Sequence, residues 1–153
     1  DWAMYDPSES RLPGATSAWM TAILLDALFS YWRLSGDARV PEMVVRWCDF
    51  LDRRGLVPDG SRAYYVIDCF GSENAPDAPG PQDQGMERHD TEIAASFAMG
   101  IFFSRDPGQR ERFRRRFDRL FSEALRLDLN RPARCFNWAL QSSSQLVYFL
   151  QNQ

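Results

Sequence analysis

Segments with almost no charge alternate along the chain with densely charged segments, and this alternation restricts the fold more than any other feature. Periodicity predicts five helices, and those over about 18–34, 90–104 and 136–150 are nearly uncharged. The helices over about 40–54 and 109–127 are highly charged and carry one apolar stripe each. A helix that is apolar on all sides belongs in an interior, whereas a striped helix belongs at a surface. We therefore predict three inner helices and two outer helices.

The two outer helices share a sequence pattern, because a shift of 69 residues places the first of them on the second. Apolar character is kept, with Val44 falling on Phe113, and short turns (SGD and RDPG) precede both helices. We interpret the pattern as one helical hairpin used twice, followed by the start of a third. The identical pairs are Asp37/Asp106, Glu42/Glu111, Arg46/Arg115, Asp49/Asp118 and Leu51/Leu120.

These elements predict an all-α domain over 1–153, built from stacked antiparallel helical hairpins. Residues 1–15 are rich in Pro, Ser and Gly and indicate an irregular lead-in, after which Thr16 or Ser17 can cap the first helix. Residues 56–87 form one long outer-to-inner loop, in which 64–70 can make a short strand. Loops of this length are more often functional or mobile than idle.

Composition argues against several classes of function. The net charge is −3 and all basic residues are Arg, so we read the arginine run of the fourth helix as a solvated face and expect no nucleic-acid partner. No apolar run reaches the roughly 20 residues that span a bilayer, so no membrane association is expected. Cys48, Cys69 and Cys135 lack CxxC spacing, and no motif indicates a metal or another cofactor.

The long links of a hairpin stack lie at one end, and the inner helices begin at that same end. Helix N-termini present free amides and a partial positive charge. Aromatic rings and polar side chains gather there in a combination that suits a carbohydrate, because rings stack on sugar faces and polar groups bind hydroxyls. The predicted mouth contains Trp19, His89, Asp90, Glu92, Arg134, Asn137 and Trp138, covered by Tyr64, Tyr65 and Asp68.

Each of these residues also has a structural interpretation. His89 is an acid–base candidate or a residue that caps the following helix. Asp90 is an acid or base, or simply an N-cap, and Glu92 in a first turn interacts well with the helix dipole in any case. Trp19 and Trp138 are sugar platforms or core residues. Cys69 and Cys135 both map near the mouth and can pair with each other or remain free.

The segment 57–92 contains eight acidic residues and two arginines. The negative electrostatic potential of this segment disfavours binding of a polyanionic substrate and favours a neutral or cationic one.

The inner–outer alternation, the letters YWRLSGDARV, the His-Asp pair that opens the third helix and the segment FNWALQSSSQLVYFL resemble the (α/α) toroids of carbohydrate-active proteins, namely six-hairpin glycosidases and toroid polysaccharide lyases. The resemblance implies acid–base cleavage of a glycan, with His89, Asp90 and Glu92 as the best-matching catalytic residues and Tyr64 or Tyr65 next. We expect Asp90 or Glu92 to be the acid or base and His89 to assist. Those toroids close with about six hairpins, whereas this chain has two and a half.

The chain opens on Asp1 rather than Met, so we expect a processed product or a piece of a larger toroid, completed by more chain or by another copy. The alternative function is a non-catalytic helical-repeat module that binds a glycan or a protein. A terpenoid-type enzyme is disfavoured because no DDxxD-like motif occurs. The cellular compartment remains unassigned, with cytoplasmic and bacterial extracytoplasmic locations both open.

Overall fold

The fold is given by a computed structural model that describes residues 15–64, 67–68, 89–125 and 143–152. It is mainly helical, which confirms the all-α class, and two short strands pair beside the helices. Within the described residues no helix is long and apolar enough to cross a membrane. In chain order the elements are β1 (Ala15–Thr16), α1 (Ala18–Ser35), α2 (Arg39–Phe50), β2 (Ile67–Asp68), α3 (Asp90–Phe103), α4 (Pro107–Ala124) and α5 (Ser143–Gln151).

Helix α3 is the centre of the structure and packs against each of the other four described helices. Every residue from Thr91 to Ile101 is buried, as expected for a helix that is apolar on all sides. Small side chains make this close packing feasible, because a Cβ added at Gly100 would lie 2.6 Å from Cys48 Sγ and 3.1 Å from Phe113 Cδ2. The prediction of an interior helix is therefore confirmed for α3.

Helix α1 departs from the same prediction. Leu25 and Phe29 are buried in the core, but Ile23, Leu24 and Leu34 on the other side of the helix are exposed, with Leu34 at 91%. Apolar composition buries a helix only where neighbours exist on both sides, and the described elements cover one side of α1. The expectation that α1 is buried all round is therefore wrong.

The inner helices α1 and α3 run in parallel, because their first turns meet and their last turns meet. Trp19 stacks on His89 at one end, and Trp32 meets Phe103 edge-on at the other, with ring centroids 4.8 Å apart. Helix α5 joins the second end through Phe149, whose ring lies 4.7 Å from that of Phe29. Aromatic packing thus fixes the direction of the inner helices.

The outer helices α2 and α4 bury their predicted stripes and keep their charges at the surface. Val44 and Trp47 of α2 and Phe113 and Phe117 of α4 are buried. Ion pairs then link the two outer helices, with Arg112 2.9 Å from Asp49 and Arg116 2.5 Å from Asp52. Part of the arginine run therefore holds α4 against α2.

The turns that precede the outer helices share a hydrogen bond. Ser35 Oγ accepts the backbone N–H of Asp37 at 3.2 Å, and Ser104 Oγ accepts that of Asp106 at 3.3 Å. These two pairs are 69 residues apart, which is the shift that relates the outer helices in the sequence.

The long link leaves α2 through a π-helical turn over Leu51–Gly55. A small hairpin follows, in which Leu56 pairs with Ala63. The expected short strand within 64–70 is present as β2, where Ile67 pairs with Thr16. The remainder of the link and the expected start of the fifth helix lie outside the described residues.

Candidate functional site

The starts of α1 and α3 meet beside the long link. Strand β1 leads directly into α1 and pairs antiparallel with β2, which belongs to the link. The link therefore passes next to the first turn of α1, where Trp19 meets His89 of α3. The predicted meeting of two inner-helix starts with the loop is thus observed for the described residues.

His89 occupies the N-cap position of α3, where its carbonyl accepts the backbone N–H of Ile93 at 3.1 Å. Its ring Nδ1 forms a short hydrogen bond with Oε2 of Glu92, three residues later. Both side chains are buried, with 9% of His89 and 3% of Glu92 exposed. In a capping box the third-position glutamate returns to the N-cap backbone, whereas here it holds the N-cap ring.

The indole of Trp19 stacks on the imidazole of His89, with ring centroids 4.7 Å apart and planes 12° from parallel. One face of Trp19 is therefore covered by His89, so that face is not an open platform for a sugar. The indole Nε1 of Trp19 is buried and has no hydrogen-bond partner among the residues that the structure describes. The stack and the Glu92 bond together fix the rotation of the imidazole.

Further polar side chains are buried at this end of the helices. Ser17 is the N-cap of α1, as expected for Thr16 or Ser17, yet its hydroxyl makes no capping bond and finds no partner within the described part of the chain. Thr16 Oγ1 lies 3.4 Å from Thr21 Oγ1. Ser96 Oγ donates to the carbonyl of Glu92 at 3.4 Å. Sequence reasoning missed Thr21 and Ser96, although small polar residues near the start of an apolar helix are a usable signal.

The His89–Glu92 pair has the chemical character of an oriented acid–base group. When Glu92 is ionised it accepts the Nδ1–H of His89, which leaves Nε2 as the basic nitrogen of the ring. A carboxylate that fixes the tautomer and orientation of a histidine is a recurring arrangement in enzymes. Among the described residues, no group of three or more potential ligands could hold a metal ion.

The other predicted site residues are only partly accounted for. Asp90 begins α3, but its side chain lies outside the description, as does that of Asp68. Tyr64 is partly buried against the core, and its backbone N–H donates to the carbonyl of Gly55 at 2.8 Å. The structure thus gives Tyr64 no described role beside His89. Predicted residues outside the described ranges are Tyr65, Arg134, Asn137 and Trp138, together with the proposed Cys69–Cys135 pair.

Comparisons with protein-family models, with curated proteins and with solved structures found no match to this chain.

Proposed function

We propose that this chain is a carbohydrate-processing domain of the (α/α) toroid type, in which His89 transfers a proton during glycoside cleavage. The observation that carries the proposal is the buried His89 imidazole, bonded at Nδ1 to Glu92 and stacked on Trp19. General acid–base catalysis requires a titratable group held in one orientation, and this arrangement provides that orientation.

The geometry supports different roles for two of the three predicted catalytic residues, His89 and Glu92. The carboxylate of Glu92 is engaged with His89, so Glu92 acts as a positioning residue that sets the tautomer of the imidazole. His89 then accepts or delivers the proton at Nε2. This division favours a histidine-centred proton transfer over a mechanism in which Glu92 itself protonates the glycosidic oxygen.

The glycan part of the proposal rests on two further arguments. One is the resemblance of the alternating inner and outer helices to the toroids of carbohydrate-active proteins. The other is the partly exposed indole of Trp19 beside His89, since sugars offer apolar faces to aromatic rings. A neutral or cationic glycan is preferred because the 57–92 segment is strongly acidic.

The test is turnover of a panel of neutral, amino and acidic polysaccharides, measured by release of reducing ends and by the ultraviolet absorbance of unsaturated products. We expect His89→Ala to lower kcat by on the order of 10²- to 10⁴-fold while binding, measured by calorimetry, is retained. Added imidazole should restore part of the activity. Glu92→Gln should lower kcat less and shift the pH–rate profile, because it alters the proton-transfer group only indirectly.

Glu111→Gln is the matched control, because Glu111 is exposed on α4 and forms an ion pair with the nearby exposed Arg115. It should leave turnover unchanged. Full turnover by His89→Ala would overturn the catalytic assignment. Glycan binding by the unmodified chain without turnover of any substrate would instead support the non-catalytic module.

A further inference from the structure

Helix α1 has a second apolar face directly opposite the one it buries. The face consists of positions spaced i, i+3, i+4, i+7, i+11 and i+14, which form one line along a helix. Leu34 is 91% exposed and Tyr31 49%, whereas Leu25 on the core side is fully buried. We refer to this face as the α1 stripe; its members are Met20, Ile23, Leu24, Ala27, Tyr31 and Leu34.

The α1 stripe has the features of a helix–helix contact. It contains no charged residue, and Met20, Ala27 and Leu34 follow one another at the seven-residue spacing that keeps a seam facing a partner helix. Helix α3 shows the alternative state within the same chain, because it is equally apolar and is covered by helices on all sides. The partner suited to the α1 stripe is therefore another apolar helix.

The order of residues in the α1 stripe points to one particular helix. Five of the six stripe positions are symmetric about Ala27, with Ile23 and Tyr31 four residues away on either side and Met20 and Leu34 seven residues away; the counterpart of Leu24 is Ser30. An antiparallel second copy of α1 thus meets the stripe with its own residues in matching order, which is the self-complementarity of a two-fold interface. The small side chain of Ala27 at the centre lets the two helices approach closely.

We propose that two copies of this chain associate through antiparallel packing of their α1 stripes. In this dimer Met20 faces Leu34 of the partner subunit, Ile23 faces Tyr31 of the partner subunit, and Ala27 lies on the two-fold axis. The proposal does not depend on the catalytic role of His89. The α1 stripe lies on the exposed side of α1, whereas the His89–Glu92 pair is buried at the start of α3.

The first test is sedimentation equilibrium of the full chain over a range of concentrations. We expect a concentration-dependent dimer. Ala27→Glu should weaken the dimer by at least about tenfold in Kd, because it places two carboxylates opposite each other at the axis. Glutamate is a good helix former and Ala27 is exposed, so circular dichroism should be unchanged. Met43→Glu is the control, because Met43 is an exposed apolar residue on α2.

Cross-linking tests the orientation. Under mild oxidation Ala27→Cys should form a disulfide-linked dimer, whereas Ser122→Cys, at an exposed position of α4, should not. A mixture of Met20→Cys and Leu34→Cys chains should form the mixed disulfide in preference to either homodimer. A monomer at every concentration, or a dimer whose Kd is unchanged by Ala27→Glu, would overturn the proposal. The α1 stripe would then be a binding surface for another segment of the chain or for another protein.

Discussion

At the scale of single residues, Gly100 and Cys48 lie so close in the core that a Cβ at Gly100 would be 2.6 Å from Cys48 Sγ. The thiol donates to the carbonyl of Ser96 at 3.1 Å, and burial raises the pKa of Cys48 far above its usual range. The side chain therefore behaves as a small apolar group. The absence of a side chain at Gly100 is what allows α2 to lie so close to α3.

This contact predicts a coupled pair of mutations. Gly100→Ala should lower the free energy of unfolding by about 1–3 kcal/mol, because the added methyl overlaps Cys48 Sγ and presses on Phe113. Cys48→Ala removes the sulfur, so the double variant should be more stable than the sum of the single effects predicts. Urea denaturation of all four proteins measures this coupling. Strict additivity would show that the clash is relieved elsewhere, against the expectation.

At the scale of elements, α1 and α3 show why apolar composition and burial differ. Both helices are nearly uncharged, so the sequence predicts the same interior position for both. Helix α3 has neighbours on all sides, whereas α1 has them on one. Periodicity shows which faces of a helix are apolar. The number of helices that pack against those faces depends on contacts between distant parts of the chain. The exposure of Leu34 could not be derived from local pattern alone.

The turn between α1 and α2 gives a prediction about pH. Side-chain hydrogen bonds from Arg39, at 2.6 Å between Nη2 and Oδ2, hold the pKa of Asp37 well below its usual range. The folded chain therefore favours the ionised form, and the unfolded chain binds more protons below about pH 3.9. The stabilisation by this carboxylate is fully present above that pH and is lost as the pH falls toward the lower folded pKa.

Carboxyl NMR titration checks this directly. In Arg39→Ala the pKa of Asp37 should rise toward its ordinary value, and the acid-side dependence of stability should flatten. Arg46→Ala removes the same charge from an exposed i, i+4 pair with Glu42 and serves as the control. An unchanged Asp37 titration in Arg39→Ala would refute the assigned cause.

At the scale of the whole molecule, charge alternation predicts the helices, whereas the hydrogen bond shared by the two turns is visible only in the structure. Glu92 and His89 were placed together because they are three residues apart at the start of one helix. Their stacking partner Trp19 was located near them only through the assumption that inner helices begin at one end. The Nδ1 bond and the unpartnered Ser17 hydroxyl depend on side-chain orientation, which no periodicity contains.

The central position of α3 has a consequence for how the domain opens. Because α3 packs against all four other described helices, its amides can reach solvent only when most of the core separates. We expect amide hydrogen exchange over Ala94–Ile101 to be the slowest in the chain and to match the free energy of global unfolding. In the monomer, exchange at the exposed end of α1, around Leu34, should proceed through fraying. Equal protection in both helices would mean that α1 is held by something its own chain does not supply.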